Sequence, residues 1–245
     1  MTRLDQLLVD RGLYPSRSRA RDAILRGVIR VDGAIVARPG ARVAADAVLG
    51  AEDPARRYVS RAALKLVAGL EASGFDPAGR IALDIGASTG GFTQVLLERG
   101  AVHVHAVDVG HGQMAPELAA DPRVTLHEGQ NARDLEASHL GGDVPGFLVC
   151  DASFISLTKV LPAALELAQA RACGIFLVKP QFEAGRAALG KSGIIRDEAV
   201  AQSAAEEVAA WLDGRAGWKV AGLWPSPIEG GDGNREFLLA AERRP

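Results

Sequence analysis

The chain has little cysteine: Cys150 and Cys173 are its only two, and no CxxC spacing occurs. This excludes a zinc cluster of the usual cysteine type and a disulfide framework, and it fits a reducing compartment. Aromatic residues are sparse. No uncharged apolar run approaches the ~18 residues that a membrane helix needs. The amino terminus, MTRLDQLLVDRG, is charged throughout and lacks the apolar segment of a signal peptide. A cytoplasmic protein without membrane association is therefore expected. What is present describes a globular protein: 48% apolar and 24% charged residues can bury a core. At 245 residues the chain can hold one large domain, or a small one and a medium one.

The formal charge of −2 conceals an uneven distribution. Residues 1–65 carry thirteen Lys/Arg against seven Asp/Glu, whereas the remainder carries fifteen against twenty-three. A basic head on an acidic body points to a polyanion as the partner of the head. In that head, Thr2 can cap a short helix with Leu4, Leu7 and Leu8 on its apolar face, and Gly12 can end it. Ser16 can cap a second helix, RSRARDAILRG, stopped by Gly27. VIRVDGAIV then places Asp32-Gly33 between two short β-rich runs, a hairpin signal. Arg17 and Arg21 share one helix face, with Arg19, Arg26 and Arg30 nearby. On composition alone such arginines are as readily a solvated surface as a nucleic-acid grip.

The segment RLDQLLVDRGLYPSRSRARDAILRGVIRVDGAIVARPG resembles an S4 RNA-binding domain, through SRSRA, the GxVxVDG hairpin and the Pro39-Gly40 that follows. The resemblance implies that Arg3, Arg17, Arg19, Arg21, Arg26 and Arg30, with the hairpin, grip the phosphates and shape of folded RNA. Arg3-Leu4-Asp5 also matches the aspartate motif of pseudouridine synthases, but it lies inside the S4 pattern. Residues 44–57 lose periodicity and read as a linker. The expected division is a domain with its linker over 1–57 and a second domain over 58–245.

Beyond the linker, Ser60 is expected to cap a helix, RAALKLVAGLEASG, which carries Lys65. From Arg80 onward, apolar runs alternate with amphipathic stretches: IALDIG, VHVHAVD, VTLHE, GFLVCD, GIFLVKP, WKVAGLW and EFLLAAE. Seven strands with intervening helices, among them GFTQVLLERG, SLTKVLPAALELAQA and DEAVAQSAAEEVAAWLDG, predict a doubly wound α/β domain. The first strand runs into Asp84-Ile85-Gly86-Ala87-Ser88-Thr89-Gly90-Gly91-Phe92, a glycine-rich turn without the GxGxxG spacing of dinucleotide dehydrogenases. The second strand ends in Asp108, where a carboxylate can bind ribose hydroxyls. Together these features point to a nucleoside cofactor. Asp151-Ala152-Ser153-Phe154 is not the Asn/Asp-Pro-Pro-Tyr of base N-methylases. Cys150, one residue before Asp151, faces the other side of the sheet, as a core residue would. Asp151 and Lys179 end the fourth and fifth strands, about 5 Å apart if these are neighbours. Glu236 opens the last strand, which joins them at the same edge if it runs antiparallel. Lys65, Asp151, Lys179 and Glu236 thus converge where α/β sheets bind ligands.

That Lys-Asp-Lys-Glu set is similar to the tetrad of the RrmJ/FtsJ-type ribose 2′-O-methyltransferases. The whole chain, with YVSRAALKL, DIGASTGGF, CDASFISL, LVKPQFE and GNREF, resembles the TlyA family over nearly its full length. The resemblance implies a seven-stranded Rossmann-like methyltransferase domain behind a small α+β S4 domain, and S-adenosylmethionine as cofactor. Its implied pocket residues are Asp84, Gly86, Ala87, Ser88, Gly90, Gly91, Phe92, Asp108 and Asn131. It also implies methylation of a cytidine 2′-hydroxyl in ribosomal RNA. The chain ends soon after its last strand, and the expectation leans towards the large subunit on that ground. Lys65, Asp151, Lys179 and Glu236 would be catalytic, with Lys179 the proton acceptor or orienter. His103 and His105 read as structural, His111 as a possible neighbour of the pocket, and no metal is expected. Two alternatives stand: an RNA-binding protein without catalysis, and a membrane-active protein, because the family also carries a haemolysin name.

Overall fold

In the computed structural model, which describes residues 1–185, 188–190, 193–215 and 217–245, the chain divides into two units, Met1–Arg57 and Tyr58–Pro245. The first unit comprises β1 (Thr2–Arg3), α1 (Leu4–Asp10), α2 (Arg17–Leu25), β2 (Ile29–Val31), β3 (Ala34–Ile35), β4 (Arg42–Val43) and β5 (Leu49–Ala51), then a 3-10 turn, Pro54–Arg57. Ser16 caps α2: its Oγ accepts from the Arg19 amide at 3.3 Å. Gly12 and Gly27 follow the two helices in the left-handed conformation. Asp32 and Gly33 both have positive φ, 50° and 84°, as the tight hairpin between β2 and β3 requires. Leu4, Leu8, Ala20, Ile24 and Ile29 form the centre of the core.

Two expectations for this unit fail. Thr2 caps nothing; it pairs with Val43 in β1–β4, and α1 starts after Arg3 without a side-chain cap. The stretch 44–57 is no linker, because Leu49–Ala51 adds the third strand of a sheet ordered β3-β2-β5. Three residues are too few to show alternation, so pairing with Ile29–Val31 decides this strand.

The second unit contains α3 (Ala63–Ser73), β6 (Ile81–Ile85), α4 (Gly91–Glu98), β7 (His103–Asp108), α5 (Pro116–Ala119), β8 (Val124–Glu128), β9 (Phe147–Cys150), α6 (Leu157–Val160) and α7 (Pro162–Leu167). They are followed by β10 (Cys173–Val178), α8 (Pro180–Glu183), α9 (Glu198–Asp213), β11 (Trp218–Pro225) and β12 (Phe237–Arg243). All seven expected strands form one sheet, ordered β11-β12-β10-β9-β6-β7-β8, and β12 runs antiparallel to both neighbours. The middle strands β9 and β10 are buried along their whole length, which is why they read as unbroken apolar runs. Leu66, Leu70, Phe92 and Leu96 of α3 and α4 cover one face; Leu157, Leu165, Ala205 and Leu212 of α6, α7 and α9 cover the other.

Ser60 does not cap α3. Its Oγ accepts from the Ala62 amide at 3.2 Å in a turn ahead of the helix, and the N-cap position is held by Ala62. The long helix expected over SLTKVLPAALELAQA is two short ones, because Pro162 lacks an amide proton and starts a new first turn. The sheet order reverses at β6, flanked by β7 and β9, so a crevice opens beyond the carboxyl ends of these strands.

Candidate active site

At that crevice lies a cavity of about 470 Å³ whose wall includes Gly86, Ser88, Asp108, Asn131, Ala152 and Phe154. The turn after β6 is shaped by close approach. Gly86 has φ 80°, and a Cβ there would stand 2.9 Å from both the Ala152 nitrogen and its Cα. Backbone cannot step aside, so glycine is required. The turn is tied to the end of β7 through Asp108, whose two carboxylate oxygens accept from the Ser88 amide at 2.8 Å and the Gly110 amide at 2.7 Å. Each oxygen keeps a free lone pair. Ala87, Gly91 and Phe92 line an adjoining recess of about 150 Å³, together with Asp151 and Lys179. Phe92 is also a core residue, and Gly90 turns the chain into α4 at φ 93°. Asn131 reaches the cavity while accepting from the Arg133 amide at 3.1 Å.

Asp84 lines neither space. It is fully buried behind the turn, accepts from Thr93 Oγ1 at 2.6 Å, and is pushed up to about 7 by burial. Its Oδ1 has no hydrogen-bond partner. Gln130, Ile155 and Val160 also line the cavity and carry no sequence signal, since they read as ordinary loop and core residues.

The four ionisable residues from α3, β9, β10 and β12 form two pairs. Lys65 Nζ lies 2.5 Å from Glu236 Oε2, and both side chains are buried. Lys179 Nζ donates to the Asp151 carbonyl at 3.1 Å and to Ser153 Oγ at 2.8 Å. It also stands 2.7 Å from Asp151 Oδ1, a close ion pair without hydrogen-bond alignment. Phe237 pairs with Val178, so Glu236 and Lys179 emerge side by side. Burial pushes the Glu236 carboxyl above its ordinary range, opposed by Lys65 and then Lys179. Cys150 is buried on the opposite face, among core residues, and burial pushes its thiol up to about 12.

Phe154 was not anticipated. It is 90% exposed, has φ 65°, and rests its ring against Phe182 at a centroid distance of 5.3 Å. Nothing in a sequence marks a positive φ; the one available hint is an aromatic residue set between polar ones after a strand.

The arginines of the head have unequal freedom. Arg3 and Arg17 are half-exposed and both meet the buried carboxylate of Asp5, at 2.9 Å and 3.0 Å. Arg19 donates to the Ala55 carbonyl, and exposed Arg30 to the Gly33 carbonyl. Arg21 is exposed. Arg26 differs from the others: its side chain is 13% exposed and bonded to Asp22 and Asp53, an internal brace.

Residues 58–243 match the family described as FtsJ-like methyltransferase, and residues 2–49 match the S4 domain. The Mycobacterium tuberculosis protein named 16S/23S rRNA (cytidine-2'-O)-methyltransferase TlyA is 45% identical over 97% of this chain and 88% of its own. This chain belongs to the TlyA family. It is a methyltransferase. A Brachyspira hyodysenteriae relative named Hemolysin A is 38% identical over 96% of this chain and 98% of its own. A solved structure of a hemolysin-named protein from Streptococcus thermophilus superposes with a TM-score of 0.77 at 39% identity, covering 99% of this chain and 88% of that one. Among the described residues, no helix is long and apolar enough to cross a membrane.

Proposed function

We propose that this family member transfers a methyl group from S-adenosylmethionine to the ribose 2′-hydroxyl of a cytidine in ribosomal RNA, with 23S rRNA as its substrate. The observation that carries the reading is the pair of lysine–carboxylate contacts, Lys65–Glu236 and Lys179–Asp151, beside a glycine-shaped cavity. The cavity suits the cofactor. Gly86 leaves room for close approach, and Asp108 can accept from two ribose hydroxyls. Asp108, Ser88 and Asn131 would hold the nucleoside, and the turn Gly86–Phe92 the amino-acid end. When bound, S-adenosylmethionine supplies an electrophilic methyl group on a sulfonium.

The chain's own residues then position the acceptor. Lys179 steers the 2′-hydroxyl as an ammonium or, once it has lost its own proton to solvent, receives the hydroxyl proton, with Nζ fixed by Asp151 and Ser153. Lys65 and Glu236 form the second pair beside it, with their charges balanced in a buried setting. Phe154 offers an exposed ring on which a target base can stack.

The S4 domain and the basic balance of residues 1–65 supply the RNA grip. The choice of 23S rRNA is supported by what the named relatives share: the M. tuberculosis protein is named for 16S and 23S rRNA, the Campylobacter jejuni one for 23S alone. Such a substrate places the enzyme in the cytoplasm. Purified protein incubated with methyl-labelled S-adenosylmethionine and separated ribosomal subunits, followed by nucleotide mapping, tests the reading. Label on a cytidine ribose of 23S rRNA is expected. RNA binding without transfer would leave a plain RNA-binding protein.

A further inference from the structure

Four of the five histidines, His103, His105, His127 and His139, gather near one edge of the sheet. His103 and His105 are two apart on β7 and so share a face; His127 joins them from the adjacent β8. His105, nearly fully buried, has both ring nitrogens engaged: Nδ1 lies 3.0 Å from His127 Nε2, and Nε2 lies 3.0 Å from Asp143 Oδ2. His103 Nε2 contacts Thr125 Oγ1 at 2.9 Å, and its ring stands edge-on to His105 at 4.8 Å between centroids. One donor atom each from His103, His105 and Asp143 falls within 4.8 Å of the other two.

We propose that His103, His105 and Asp143 form a binding site for one divalent transition-metal ion of the zinc or cobalt class, with His127 orienting His105. Two imidazoles and one carboxylate suit these borderline ions; calcium and magnesium ask for an all-oxygen set. Bonds of about 2.0–2.1 Å to one centre put tetrahedral donors roughly 3.4 Å apart. The His105–Asp143 spacing of 3.0 Å is close to that, and all three donors already lie within 4.8 Å of one another. Asp143 can adjust towards the other two, because its side chain is 43% exposed on a loop.

The hydrogen bonds fit both states of the site. Without an ion, His127 Nε2–H donates to His105 Nδ1, and His105 Nε2–H donates to Asp143. With an ion on His105 Nε2, the ring takes its other tautomer, and Nδ1–H donates to His127 Nε2. A partner on the remaining ring nitrogen is the usual support of a metal-binding histidine. His103 opens β7 and Asp108 closes it, so at about 3.3 Å per residue the site lies roughly 16 Å from the cofactor edge. The ion would fasten the loop carrying Asp143 to the sheet, and the site is independent of the catalytic reading above.

Chelator-treated full-length protein titrated with cobalt(II) chloride, and separately with zinc chloride in a calorimeter, tests this. Expected are visible ligand-field absorption, one ion per chain with low-micromolar affinity or better, and a raised melting temperature. Asp143→Asn and His103→Gln, both at partly exposed positions, should each weaken binding at least tenfold, and His127→Gln by about 10- to 100-fold. Circular dichroism without metal establishes that each variant is folded, and either folded ligand variant suffices. Wild-type protein that binds neither ion, or binds them no better than these variants, would overturn the site and leave a hydrogen-bond relay.

Discussion

Lys179 Nζ is held by three oxygens, the Asp151 carbonyl, Asp151 Oδ1 and Ser153 Oγ, at the end of a fully buried strand. Arginine at this position would keep the positive charge. It cannot give up a proton at accessible pH, and its planar fork does not match three oxygens gathered around a point charge. Lys179→Arg should therefore bind cofactor and ribosomal RNA nearly normally while single-turnover methylation falls on the order of 100-fold or more. Retained methylation would move the proton role to Lys65 or a carboxylate. Gly86 makes a second residue-scale case. Alanine there meets the Ala152 backbone at 2.9 Å and must also adopt φ 80°, a conformation that costs an L residue about 1–2 kcal/mol. Gly86→Ala should weaken S-adenosylmethionine binding at least tenfold by calorimetry, with the fold retained by circular dichroism.

At the scale of elements, two segments far apart in sequence are stitched together. Lys179 bonds Ser153, Phe182 packs on Phe154, and Glu183 accepts from Ser156 Oγ at 2.5 Å and from the Leu157 amide at 2.8 Å. The loop that presents Phe154 is thus braced by the residues that follow β10. In the first unit, α2 is braced to the segment after β5 by Arg26, bonded twice to Asp53, whose other contacts are the Tyr14 hydroxyl and the Ala55 amide. Burial works against the Asp53 carboxylate, yet Arg26, Ala55 and Tyr14 together hold it below its ordinary range. A carboxylate lowered in this way contributes stability in full above its unfolded value, about pH 4, and that contribution is lost as pH falls through the folded value. Asp53→Asn should cost about 2 kcal/mol at pH 7. The gap between its thermal melts and those of the wild type should narrow as pH falls below about 4. A gap that stays constant as the pH is lowered further would count against the ion pair.

For the whole molecule, charge is divided along the chain: residues 1–65, which include the S4 match, are basic, and the remainder is acidic. RNA affinity should then be carried by exposed arginines of the head. Arg17→Ala combined with Arg21→Ala is expected to weaken ribosomal RNA binding and flatten its log–log salt dependence by about one unit per lost phosphate contact. Arg26→Ala should act differently, by lowering the melting temperature, since its guanidinium is spent on Asp22 and Asp53. An unchanged salt slope in the double variant would reduce Arg17 and Arg21 to a solvated face.

Much of this is legible in the sequence. Strands buried on both faces, such as Phe147–Cys150 and Cys173–Val178, announce themselves as apolar runs, and Ser16, Gly27 and Asp32-Gly33 act locally through their own backbone preferences. The ends of those runs marked Asp151 and Lys179, whereas the adjacency of β9 and β10 and the antiparallel β12 that brings Glu236 to the same edge are met only in the folded sheet. Other features depend on partners distant in sequence. Leu49–Ala51 is a strand because Ile29–Val31 pairs with it, and Arg26 is a brace because Asp53 arrives beside it. Phe154 is presented by Phe182 and Glu183, and His105 meets His127 and Asp143 only once β8 and the following loop are folded against β7. Sequence by itself determined which backbone segments are buried and which side chains stand at their ends, since burial and backbone preference are properties of neighbours along the chain. Tertiary structure decided which charges neutralise one another and which side chains stay exposed, since those depend on groups that meet only in space.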